Sequence, residues 1–141
     1  NLISLTDQIF PEIITPGLEK YRRASREPYR TIITEADNAI AAAHSCFAIG
    51  FGFRDEHIQE KLVANLGKRN IPTIVLTKQL TAEAKAIFLK DGVSNALLIE
   101  QHNKGSKAYL INKANQGGIT EEIYDAPIWS LDTFVTTFLG E

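Results

Sequence analysis

Two glycines followed by four ionisable residues stand near the middle of the chain, in Ile49-Gly50-Phe51-Gly52-Phe53-Arg54-Asp55-Glu56-His57-Ile58. An apolar stretch runs into Gly50 and Gly52, and a helical pattern leaves them. Glycine lets the backbone approach a ligand, or take a positive φ, at no Cβ cost. Open parallel sheets bind ligands beyond the carboxyl ends of their strands, where this segment would fall. A lone Gly-x-Gly is equally an ordinary tight turn, so a ligand-binding and a purely structural reading both stand. Asp55 and Glu56 come at the helix N-terminus, where carboxylates satisfy free N–H groups and the positive end of the dipole. A phosphate would have to compete with them. Capping, or contact with a ribose diol, suits them better. His57 has no sequence-visible partner for acid–base work and reads as a turn-stabilising donor.

The remaining chemistry-bearing residues are scattered. Lys20, Arg22, Arg23, Arg26 and Arg30, with Tyr21 and Tyr29 between them, form a basic cluster. It suits phosphates or an acidic partner, and it equally suits a solvated helix face. His44 and His102 stand apart from any Cys, Asp or Glu at metal-ligand spacing, so no metal is expected. Cys46 lies in an apolar run and reads as an inert core thiol. Neither G-x-S-x-G nor G-x-x-x-x-G-K-[ST] occurs, which leaves serine hydrolase and P-loop chemistry without a foothold.

Composition bounds the rest. The chain has 141 residues, 44% of them hydrophobic and 23% charged, as one ordinary globular domain would. Fifteen Lys and Arg against seventeen Asp and Glu offer no global field for a nucleic-acid backbone, so direct nucleic-acid binding is not expected. A single cysteine fits a reducing, cytoplasmic setting. No apolar run approaches the roughly 20 residues that cross a bilayer, and no membrane association is expected. The absence of methionine and the start at Asn1 suit a piece of a longer protein.

The elements that must position these residues follow from periodicity. Glu12–Thr15 reads as a short strand, and apolar residues at helical spacing predict a helix from Arg26 to about His44. Ser45–Phe51 reads as a buried strand. A second helix carries Ile58, Leu62 and Leu66 and is ended by Gly67. Ile71–Thr77 is another apolar strand. Thr81 caps a third helix stopped by Asp91-Gly92, and Ala96–Glu100 and Lys107–Ile111 are strands joined by a polar stretch, Gln101–Ser106. Gly117-Gly118 reads as a loop, and Ser130 caps a last helix. Apolar strands alternating with helices predict one α/β module, residues 1–141. Its expected form is a three-layer, Rossmann-like and mostly parallel sheet with helices on both faces.

Ile14-Thr15-Pro16-Gly17, Lys20-Tyr21 and Glu27-Pro28-Tyr29-Arg30, leading to Ile49-Gly50-Phe51-Gly52-Phe53-x-Asp55-x-His57-Ile58, resemble bacterial sirtuin-like domains of the silent-information-regulator type. Many of these hydrolyse NAD in antiviral defence. The likeness covers about Ile14 to Leu62. It implies a fold binding NAD, or a related nucleotide, across its strand ends. Gly50 and Gly52 would admit the cofactor, Phe51, Phe53, Asp55 and His57 would shape the turn, and Thr77 and Lys78 would border the adenosine half. Two departures remove polar handles: position 52 is Gly where relatives often carry Ser, and Phe51 replaces the usual Tyr. The family's Gly-Ala-Gly phosphate loop, catalytic Asn and catalytic His-Gly pair find no counterpart before Gly50. The resemblance therefore implies the C-terminal part of such a domain, without catalytic residues and without NAD hydrolysis of its own. It further implies a homo-oligomer and a helicase-like ATPase partner. The alternative is a non-catalytic nucleotide-sensing or oligomerisation module.

Overall fold

The computed structural model describes residues 27–90, 93–112 and 118–140. The expected strand Glu12–Thr15 and the basic residues Lys20, Arg22, Arg23 and Arg26 lie outside the described residues. Contacts divide the chain into two units, residues 1–37 and 38–141. Residues 27–37 of the first unit are described and contain the start of helix α1, Tyr29–Ala42. Within them, Thr31 Oγ1 donates to Glu27 Oε2 at 2.6 Å.

The second unit carries the sheet. Its elements after α1 are β1 (Cys46–Ile49), α2 (Glu56–Arg69), β2 (Thr73–Thr77), α3 (Ala82–Lys85) with a π-helical turn at Ala86–Lys90, and β3 (Asn95–His102). Then come β4 (Gly105–Asn112), β5 (Gly118–Tyr124) and α4 (Leu131–Phe138). The strands lie in their sequence order, β1 to β5.

Strand direction corrects the expectation of a mostly parallel, Rossmann-like sheet. β1 with β2 and β2 with β3 are parallel, but β3 with β4 and β4 with β5 are antiparallel. The sheet is mixed. The cause is connection length: a parallel return needs a crossover of about a dozen residues, whereas a two-residue loop only reverses the chain. Asn103 and Lys104 alone join β3 to β4, with Asn103 at φ +53°, a conformation asparagine tolerates. The stretch expected as a polar connector is thus mostly strand, since Gln101 pairs with Ser106 and His102 with Gly105. β5 begins at Gly118, the second residue of the expected Gly117-Gly118 loop, and Gly117 lies outside the described residues. Every residue of β5 is exposed, so no buried face marked it in the sequence.

Helices cover both faces. On one, Leu66 of α2, Ala84 of α3 and Phe88 of the π turn pack over Ala48, Val75, Leu98, Tyr109 and Ile111. On the other, Phe134 of α4 and Ile128 pack over Leu76, Ile99 and Ala108. Adjacent strand residues such as Val75 and Leu76 point to opposite faces, and with both faces covered β2 is apolar over Ile74, Val75 and Leu76 between its terminal threonines.

Local signals set the helix ends. Thr81 Oγ1 accepts the Ala84 N–H at 3.1 Å, and Ser130 Oγ accepts the Thr133 N–H at 3.4 Å. α2 runs past Gly67 to Arg69 and is followed by Asn70 at φ +51°, a left-handed end that asparagine accepts. At the end of α1, the Ile40 carbonyl accepts from Asn65 Nδ2 and the Ala41 carbonyl from Arg69, both on α2. The Ile40 carbonyl also accepts the Ala43 N–H at 3.3 Å, and the side chains of α2 add partners to last-turn carbonyls that lack helical ones.

Candidate functional site at the ends of the parallel strands

Three parallel strands end on the same side of the sheet. After β1, Gly50 turns the chain at φ +62° while its N–H donates to the Leu76 carbonyl at 2.8 Å. A Cβ on Gly50 would meet nothing within 4 Å, so glycine is favoured there by conformation rather than by space. Gly52 differs. Its φ is ordinary, and an added Cβ would lie 3.4 Å from the Thr81 methyl, in normal contact. Its carbonyl accepts the Thr81 hydroxyl at 2.6 Å. Thr81 thereby joins the glycine turn to the cap of α3.

Phe53 is fully buried at φ +55°, an unusual conformation for a bulky residue. Its ring meets Phe51 at 4.7 Å and Phe88 at 5.1 Å, both edge-on. A positive φ aims this side chain into the core, and the aromatic contacts hold it there. Asp55 is where the α2 ladder starts, its carbonyl accepting from Ile58 at 3.2 Å and Gln59 at 2.8 Å. His57 lies in the first turn of α2. Arg54 Nε pairs with Glu83 Oε2 at 3.3 Å, a second tie between this loop and α3. The Glu83 carboxyl lies below its usual range, held there first by a backbone N–H and then by Arg54.

A cavity of about 580 Å³ opens at the ends of β2 and β3, lined by Thr77, Lys78, Gln79, Glu100 and Gln101. Thr77 and Lys78 were expected at a site. Gly50, Phe51, Gly52, Phe53 and Asp55 do not line this cavity. The strand-end turn and the cavity are held by the same strand, since Gly50 bonds to Leu76 and Thr77 follows directly.

Glu100 is the residue that sequence reading missed. It is only 8% exposed and lies across β3–β4 pairing from Lys107. Its Oε2 accepts the Leu80 N–H at 2.9 Å, and its Oε1 accepts the Tyr109 hydroxyl at 2.9 Å. Lys85 Nζ stands 3.7 Å from Oε1. A buried carboxylate requires such partners. Burial, then the bond to Glu100, pushes the Tyr109 phenol above its usual range, so it stays a donor. Lys107 sits over the Tyr109 ring at 4.8 Å and pairs with Glu121 at 2.6 Å. The signal was present: in Ala96-Leu97-Leu98-Ile99-Glu100 the acid shares a face with the buried Ala96 and Leu98.

Elsewhere among the described residues, no group of three or more His, Cys, Asp or Glu is placed to hold a metal ion. No described helix is long and apolar enough to cross a membrane. Burial pushes the Cys46 thiol up, the direction of an unreactive thiol. No protein family, curated protein or solved structure matches the chain.

Proposed function

We propose that the chain is the distal part of a sirtuin-like domain that binds NAD, the intact parent hydrolysing it to ADP-ribose and nicotinamide in cytoplasmic antiviral defence. The observation that carries this reading is the cavity at the carboxyl ends of β2 and β3, lined by Thr77 and Lys78. The positive-φ Gly50 turn at the neighbouring strand end adds to it. Strand ends of the parallel half are where such sheets take nucleotides. The chain's own task would be positioning the dinucleotide. The acid–base work at the nicotinamide–ribose bond would fall to residues of the parent outside this chain.

The test is NAD binding and turnover by the parent, compared with its Gly50→Ala and Asp55→Ala variants. Gly50→Ala forces a left-handed conformation on a residue with a Cβ, at about 1–2 kcal/mol. Weakened NAD binding by the folded Gly50→Ala protein is expected, and wild-type behaviour of both variants would remove these residues from the site. Residues 1–141 alone are expected to bind without turning NAD over. A parent-like rate from this chain would refute the division of labour.

A second reading, a non-catalytic nucleotide-sensing or oligomerisation module, is favoured by a different observation. Phe47, Ile49, Phe138 and Leu139 are large, apolar and exposed. A homo-oligomer, or a helicase-like ATPase partner, would give that surface a use. The upstream sequence of the parent separates the two readings. A Gly-Ala-Gly loop, an Asn and a His-Gly pair there would favour the hydrolase.

A further inference from the structure

β1 combines a bare backbone edge with an apolar face. Its residues, Cys46, Phe47, Ala48 and Ile49, include no charge and no proline. On the inner side the Cys46 N–H donates to the Pro72 carbonyl at 2.9 Å and the Gly50 N–H to the Leu76 carbonyl at 2.8 Å. Backbone groups alternate in side along a strand. Cys46, Ala48 and Gly50 therefore face β2, while Phe47 and Ile49 turn their N–H and C=O outward. Among the described residues no strand takes up those outward groups. Another extended strand is what completes a row of this kind.

The side chains narrow the choice of strand to β1 itself. Phe47 and Ile49 share one face of the sheet and are each about half exposed. Phe47 meets Phe134 of α4 at 5.7 Å, and Phe134 meets Phe138 at 5.0 Å. An antiparallel pair about a two-fold axis at Ala48 sets Phe47 opposite Ile49 of the second copy, and Ile49 opposite Phe47 of the second copy. Outward-facing residues that stand opposite each other exchange both backbone bonds, so both pairs are fully hydrogen-bonded. The axis stands perpendicular to the sheet, so the two aromatic clusters fall on the same face, apolar against apolar with no charge opposed. Phe47, Ile49, Phe138 and Leu139 expose on the order of 400 Å² per copy, taking about 150–250 Å² for a large side chain. Two copies with the paired backbone reach roughly 1,000 Å², the low end of specific interfaces, which suits a reversible dimer.

We infer that a second copy of this chain docks on β1 as an antiparallel strand about a two-fold axis at Ala48, joining the two sheets into one. The inference rests on the oligomerisation reading and deepens it, naming the surface, the partner and the register. It requires neither NAD nor the strand-end cavity.

The test is sedimentation and amide hydrogen exchange of the 141-residue chain from about 1 μM to about 1 mM, the range in which a modest interface fills. A monomer–dimer equilibrium is expected. As the dimer fills, exchange at the Phe47 and Ile49 amides should slow by at least about tenfold, while the Cys46 and Ala48 amides, which face β2, keep their rates. Ile49→Lys, a charge on the exposed margin, should stay monomeric. Ile123→Lys, on the β5 margin, should dimerise as wild type does. If Ile49→Lys does not fold, the alternation of amide protection still decides. A dimer whose Phe47 and Ile49 amides keep their monomer rates overturns the inference and leaves the oligomerisation reading standing. A folded Ile49→Lys chain that still dimerises does the same. A monomer at every concentration overturns both.

Discussion

Phe53 shows how one dihedral angle reassigns a residue. Its place after Gly52 makes it a candidate for shaping a cofactor turn, but φ +55° sends its ring into the core between Phe51 and Phe88. Phe53→Ala is therefore expected to cost about 3–5 kcal/mol in urea unfolding, the range for emptying a buried aromatic site. A residue that merely touched a ligand would leave the unfolding midpoint unchanged and lower affinity instead. Gly50 and Gly52 divide in the same way. Their spacing makes them look equivalent, and only Gly50 has the left-handed backbone that glycine alone adopts freely. Thr77 and Lys78 were legible from topology, because a residue at the end of an apolar strand in a parallel unit must face the strand-end crevice. For Glu100 the buried face was legible and the partners were not, because nothing local says which residues will satisfy a buried acid. Its partners come from Leu80, twenty residues earlier, and Tyr109, nine residues later.

At the scale of elements, the β1–α2 loop is anchored to α3 by two contacts. Thr81 bonds to the Gly52 carbonyl and caps α3, and Arg54 pairs with Glu83 in its first turn. The lowered Glu83 carboxyl gives this anchor a pH signature. A carboxyl whose folded pKa is depressed stabilises the fold above its unfolded value, and that contribution disappears as pH falls through the folded value. Wild type should therefore unfold at a higher urea midpoint than Glu83→Gln at pH 7, with the gap closing as pH falls through and below the carboxylate range. A gap that persists at the acid end would assign the effect to something other than this charge. The antiparallel wing follows another local rule. Gly105 admits no side chain, since a Cβ there would stand 2.0 Å from the Tyr124 carbonyl oxygen. The tight β3–β4 turn and the end of β5 depend on that clearance.

Across the whole molecule, the sheet has two unequal margins. β5 is exposed on both faces and sets charge, including Glu121 paired to Lys107, beside the exposed Ile119 and Ile123; the charge discourages unwanted strand pairing. β1, at the opposite margin, leaves Phe47 46% and Ile49 50% exposed, and no described strand pairs its outer side. An apolar margin of this kind predicts self-association. Sedimentation of the 141-residue chain should show a mass that rises with concentration, and a monomer at all concentrations would count against the homo-oligomer. The apolar strands β1 to β3, the caps at Thr81 and Ser130 and the strand-end place of Thr77 and Lys78 were readable in the amino-acid order, although β1, expected as a buried strand, lies half exposed at the sheet margin. Those features depend on side-chain period and on bonds spanning three or four residues. Tertiary structure decided the direction of β4 and β5, the burial of Phe53 and the assembly of Glu100 with Leu80, Lys85 and Tyr109. Each arises where segments distant in the chain meet, and there packing and the pairing of buried polar groups outweigh local preference.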